Sequence, residues 1–321
     1  MKRLFACAAM AVAAALATFG AGAQTYPTRP ITLVVPFAAG SGSDTGARIL
    51  AEYLGTSLGQ RVVVENRPGA TGAIGAAVVA RAEPDGYTLL IGTNSTHGSN
   101  PALIANMAYD PVRNFTPIVR VGIFTYFVVA HPGLPIRSMS DLIAVAKADP
   151  ERLSYASGSS TSLVMAETFL RGVGIKALRV PFSSNPPALT EVMAGRVSFM
   201  FIDVSTSISH VQSGALRALA ITSPVRSALA PDLPTVRETV LPGFEMESWI
   251  GLYAPAGTPS AIVDRIAAEI EKILARPEVK ERFAGLGVEI RPSTGADFAE
   301  FTRSEVERWT RFVREAGIKP N

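Results

Sequence analysis

Ser41, Ser43 and Asp44 stand among Gly40, Gly42 and Gly46, directly behind the apolar run Ile31–Val35 and ahead of a helix-like stretch, Thr45–Leu58. A buried strand that passes through a small hydroxylated loop into a helix aims several backbone N–H groups, and the positive end of the helix, at one spot. That arrangement suits capture of an anion such as a carboxylate. A second junction of the same kind is Tyr155–Ser162, YASGSSTS, ahead of the helical stretch Leu163–Leu170. It brings Ser157, Ser159, Ser160 and Thr161 to a helix start. Neither loop carries Lys or Arg, so both would hold charge with neutral N–H and O–H donors. Two such junctions, one per lobe, would grip an acid from both sides.

Other chemistries fit these residues less well. Gly40, Gly42 and Gly46 miss the G-x-G-x-x-G dinucleotide spacing by one residue, and Asp44 would repel a pyrophosphate, although Glu65 falls where a ribose-binding acid is expected. No phosphate loop of the G-x-x-x-x-G-K-[ST] type occurs. Asp44 is expected to cap the helix beginning near Thr45. The one G-x-S-x-G match, Gly55–Gly59, has a helix before its Ser57 and a strand after it, the reverse of a nucleophile elbow. His97, His131 and His210 have no metal-ligand spacing, so no metal and no cofactor is expected. His97 is expected to be a solvated loop residue.

The elements around these loops read as α/β. Strands are expected at Ile31–Val35, Arg61–Glu65, Thr88–Gly92, Phe124–Ala130, Leu153–Ala156, Leu178–Pro181, Val197–Ile202, Leu216–Ile221 and Ser248–Ala254. Their near-continuous apolar character fits strands covered on both faces of mostly parallel sheets. Helices are expected between them at Thr45–Leu58, Gly72–Ala82, Ser140–Ala148, Ser162–Gly172 and Pro187–Ala194. Helical stripes follow in the tail, one through Ile262, Ile266, Ile270 and Ile273 and another through Phe298, Phe301, Trp309 and Phe312. Two α/β sets of this size imply two lobes.

Residues 1–23 carry Lys2 and Arg3, an apolar run, and an A-x-A exit at Ala21-Gly22-Ala23, the pattern of a secretory signal cleaved after Ala23. The only cysteine, Cys7, lies inside it. Removing Lys2 and Arg3 from the 30 basic residues leaves 28 against 27 acidic ones. That near-neutral balance, with no basic tract, speaks against nucleic-acid binding.

The chain resembles the Bug-type periplasmic solute receptors of tripartite tricarboxylate transporters. The matching segments are Tyr26–Asp44, Gly59–Ala76, Ala80–Thr93, Tyr109–Ile118, Leu216–Ser223, Leu233–Thr239 and Trp249–Pro259, in order through nearly all of the exported chain. The resemblance implies a two-lobed, type II periplasmic-binding-protein fold with the ligand in an interlobe cleft. Lobe one would hold residues 24–123 and 250–321, and lobe two 124–249. It also implies a periplasmic monomer that hands a small organic acid to membrane transporter subunits, or reports it to a membrane sensor. Phe37, Ala39, Gly40, Ser41, Ser43 and Asp44 would meet one carboxylate from lobe one, and Ser157, Ser159, Ser160 and Thr161 from lobe two. Thr93, Asn94 and Asp203 would line the rest. In the segment Val180–Ala188 the family's usual lysine and tyrosine hydroxyl are missing, leaving Phe182 beside the cleft. An exported serine hydrolase is the alternative of another class, and Ser57 its only elbow-like serine.

Overall fold

The computed structural model describes residues 26–320. The signal segment, Cys7 and the cleavage site lie outside the described residues. β1 (Ile31–Val35) is ITLVV with four of its five residues buried, as a strand covered on both faces requires. It leads through the Gly/Ser loop into α1 (Gly42–Leu58), which Gly59 ends in a left-handed conformation at φ 69°. β2 (Val62–Asn66), α2 (Ala73–Ala80), β3 (Thr88–Thr93), a short π-type turn (Ser95–Ser99), α3 (Asn100–Leu103) and β4 (Phe115–Phe124) follow. The chain then crosses at Thr125 into a second sheet.

That sheet is built from β5 (Tyr126–Ala130), α4 (Met139–Ala148), β6 (Ser154–Ser157), α5 (Ser160–Gly172), β7 (Leu178–Pro181), α6 (Asn185–Met193), β8 (Phe199–Asp203), α7 (Val204–Gln212) and β9 (Arg217–Ile221). After α8 (Val236–Thr239) the chain returns as β10 (Ser248–Pro255), then α9 (Ser260–Ala275), α10 (Pro277–Gly285), β11 (Val288–Thr294) and α11 (Gly295–Glu315). The strand orders are β11-β4-β10-β3-β1-β2 and β7-β6-β8-β5-β9. The molecule is therefore a two-lobed α/β protein. Among the described residues no helix is long and apolar enough to cross a membrane.

The sheets are mixed rather than mostly parallel. β1 pairs in parallel with β2 and β3, and β6 with β7 and β8. β10 inserts antiparallel between β3 and β4, β11 runs antiparallel on β4, and β5 runs antiparallel to both β8 and β9. The run expected as one strand from Phe124 to Ala130 is cut at Thr125, because its two halves hydrogen-bond into different sheets. The return crossing lies beside it, since Ser248 and Phe124 are partners in the β10–β4 ladder.

α11 seals the first lobe. Its Trp309 is fully buried, and Glu305, 3% exposed, accepts hydrogen bonds from both Trp249 Nε1 (2.9 Å) and Trp309 Nε1 (3.0 Å). Arg308 pairs with the same carboxylate at 3.2 Å. A buried carboxylate is tolerated here because three donors meet it. Glu305→Ala would orphan two buried indole N–H groups. Urea unfolding should show a loss of roughly 2–4 kcal/mol, whereas exposed Glu307→Ala should stay within about 0.5 kcal/mol.

Candidate ligand-binding site

Between the sheets lies a narrow cavity that leaves about 30 Å³ for the centres of water-sized molecules. Lobe one supplies Phe37, Ser41, Gly42, Ser43, Thr93 and Ser95. Lobe two supplies Ser159, Thr161, Ser184, Asn185 and Asp203. Phe124, Tyr126 and Ser248, at the two crossings, close it. The position agrees with the rule that open α/β sheets bind ligands beyond strand C-terminal ends.

The local physics is that of helix starts. Ser41, Ser159, Ser184 and Asp203 are the N-cap residues of α1, α5, α6 and α7, and all four line the cavity. Ser41 accepts from Asp44 N (3.3 Å), Ser159 from Ser162 N (3.1 Å) and Asp203 from Thr206 N (2.9 Å). Ser184 instead accepts from Ala38 N of the opposite lobe, at 3.1 Å. Four helix N-termini thus bring their positive ends to one space, opposed by the single carboxylate of Asp203. Among the described residues none of the lining side chains is Lys, Arg or His.

Asp44 is not the helix cap. α1 starts earlier than expected because Ser41 holds the extended φ/ψ of a cap, and Asp44 falls in the first turn. Its carboxylate turns away from the cavity to accept from Gly40 N (3.0 Å), Asn66 Nδ2 (2.9 Å) and Arg48 Nε (3.0 Å). Burial would raise its pKa. The hydrogen bonds from Arg48, Gly40 and Asn66 outweigh that and hold it below the usual carboxylate range.

Of the residues singled out in the sequence, Phe37, Ser41, Ser43, Thr93, Ser159, Thr161 and Asp203 come together in the cavity wall. Seven other candidates do not reach it. Ala39 and Gly40 face solvent, the latter at φ 79° with its N–H held by Asp44. Asp44 is turned outward. Asn94 is buried behind the wall, where its Oδ1 accepts from Thr161 (2.9 Å) and from Ser248. Ser157 accepts from Arg179 Nε at 3.2 Å. Ser160 joins Ser99 and Asn100, both at 2.8 Å. Phe182 packs on the core of lobe two. Of the residues not anticipated, Ser184 and Asn185 carried a readable signal, a serine ahead of Asn-Pro at a helix start.

His97 is fully buried rather than solvated. It sits in the turn after β3, stacked on Tyr253 at 4.0 Å, with Nδ1 against Thr96 Oγ1 at 2.9 Å and Nε2 unpartnered. Gly92 makes room, since a Cβ there would come within 2.5 Å of the Tyr253 ring. Burial drives the His97 pKa down to about 3, so the imidazole is neutral. Burial also pushes the Tyr126 hydroxyl up, with nearby Asp203 adding to the effect, and it stays protonated.

Two lobes closing on a pocket of capped helix starts define a solute-binding protein of the periplasmic type. The description "Tripartite tricarboxylate transporter family receptor" fits residues 46–318, and the chain belongs to that family. It is 34% identical to protein BugT of Bordetella pertussis, over 99% of each chain. Among solved structures, Rpa4515 of R. palustris with adipate superposes with a TM-score of 0.90 at 32% identity, covering 92% of this chain and all of that one. MatC of Rhodopseudomonas palustris with bound malate gives 0.84 at 32% identity, covering 90% and 100%.

The buried imidazole sets a pH dependence. Unfolded His97 takes up a proton below about pH 6.5 and the folded residue refuses it down to about pH 3. Its contribution is full above about pH 6.5 and falls as pH drops towards 3. Chemical denaturation should show His97→Phe losing about 2 kcal/mol less than the parent between about pH 7 and pH 5.

Proposed function

We propose that this receptor captures a small organic acid in the interlobe cavity, as a single exported chain, and presents it to the membrane subunits of a tripartite transporter. The observation that carries the reading is the convergence of four helix starts, three of them capped by side chains, on a pocket that among the described residues has no cationic side chain. A carboxylate there is held by dipoles and neutral donors. Ser43 N–H is free for it. In the first turn of α1, Gly42 N is taken by Thr206 Oγ1 (3.0 Å) and Asp44 N by Ser41 Oγ, while Ser43 N has no partner among the described residues. The free hydroxyl of Ser43 and the N-cap Ser159 stand on opposite sides of the space. The relatives that hold adipate and malate support a carboxylate as the ligand class.

No chemistry on the ligand is proposed. Ser57 lies in the last turn of α1 and donates to Glu269 at the exposed surface. Export with cleavage after Ala23 is part of the same reading, resting on the sequence pattern of residues 1–23.

Thermal unfolding against a panel of mono-, di- and tricarboxylates and amino acids tests the reading. A true ligand at 100 times its Kd should add about 2.7 kcal/mol of stability, and a flat response from a ligand-free sample would sink it. Closure gives a second test. A Cβ on Gly42 would come within 2.2 Å of Ser205 Oγ and 2.5 Å of Asp203 Oδ1, across the lobe boundary. Ala is at least as good as Gly inside a helix. Gly42→Ala should therefore keep the unliganded unfolding temperature while weakening ligand binding by about tenfold or more, as calorimetry would show.

A further inference from the structure

Asp203 ends β8 and projects its carboxylate into the cavity wall. Its two oxygens are loaded unequally. Oδ1 accepts from Thr206 N (2.9 Å), Thr206 Oγ1 (2.6 Å) and Ser205 Oγ (2.6 Å). Among the described residues Oδ2 accepts from Asn185 Nδ2 alone, at 2.9 Å. A carboxylate oxygen has room for a further donor. The Asn185 amide has one orientation open to it, because turning it over would press its oxygen against Oδ2. Asn185 Oδ1 is thereby left as an acceptor, and among the described residues it has no partner although the residue is 94% buried in the wall. Nature rarely leaves such an atom unmet.

We propose that this pair, Asp203 Oδ2 and Asn185 Oδ1, selects a hydrogen-bond donor on the ligand. The acid this receptor takes then carries an amide or amino N–H besides its one carboxylate, and dicarboxylates are disfavoured. The inference rests on the receptor reading above and narrows it. A second carboxylate would bring two more acceptors against two acceptors, one of them charged, with no lining cation to offset them. An ammonium or amide group would bring donors of the kind that both atoms accept. Asn185 also falls within Val180–Ala188, the segment that departs from the family pattern. This chain's preference can thus differ from that of relatives that hold adipate or malate.

Calorimetric titration of the purified protein with matched acids tests this. One set is succinate, succinamate, γ-aminobutyrate and butanoate, and the glutarate and adipate sets extend it. In the length that fits, the amide or amine should bind at least about tenfold more tightly than the dicarboxylate and the plain monocarboxylate. Equal or tighter binding of the dicarboxylate overturns the inference and leaves the carboxylate receptor standing. Failure of every acid to bind overturns both. Asp203→Asn supplies the converse. The new amide donates to Asn185, whose own amide turns over and presents N–H to the cavity. The preference for amide over dicarboxylate should then fall by about tenfold or reverse. Should that variant lose its folded circular-dichroism spectrum, Asn185→Ala takes its place, and an undiminished amide preference there overturns the inference.

Discussion

Everything in the cleft depends on what happens to the first N–H groups of a helix when they are buried. They have no partner inside the helix, and water is scarce between two lobes. Here four helices begin at one place, so the demand is concentrated. It is met locally by Ser41, Ser159 and Asp203 and across the boundary by Thr206, which accepts from Gly42 N. The few donors left over, Ser43 N–H among them, are what a ligand can use. The residues that cap the helices are thus also part of the cavity wall.

The same requirement ties the lobes together. Thr206 gives its hydroxyl proton to Asp203 and is left with lone pairs facing Gly42 N, at 3.0 Å. On the other side of the cavity Thr161 reaches Asn94 and Ser95, both at 2.9 Å, and Ser99 reaches Ser160. These bonds link side chains on α5 to the turn after β3, so beside an apolar core continuous through both lobes the closed arrangement is also held by short polar contacts. Such contacts contribute little net free energy each because water competes for them. That suits lobes that must part again.

Much of the fold was legible in the sequence. β1 and β7 have the expected bounds, since ITLVV and LRVP stand between clear turn residues. β4 and β11 were not legible. Pro117, Arg120 and Gly122 break the apolar pattern of the first, and the second is a largely exposed edge strand with Pro292 inside it. The antiparallel insertion of β10 is a long-range pairing that no local pattern encodes. At the site, the two Gly/Ser junctions could be found from residue types, but the direction of each side chain could not. At a helix start consecutive residues point about 100° apart, so Ser159 and Thr161 face the cavity while Ser160 between them faces away. His97 is buried because its polar neighbourhood in sequence, Thr93–Ser99, contains a turn, Ser95–Ser99, that packs under α11.

The absence of a cation from the wall reaches beyond recognition. Mobile ions weaken attraction between full charges that solvent can reach, and they do little to dipoles fixed a bond length from their partner in a closed space. A grip made of helix ends, hydroxyls and one buried carboxylate answers to dissolved salt less than one made of exposed charges. Outside the cytoplasm, where ionic strength follows the surroundings, such a protein would lose less of its hold on its cargo as salt rises.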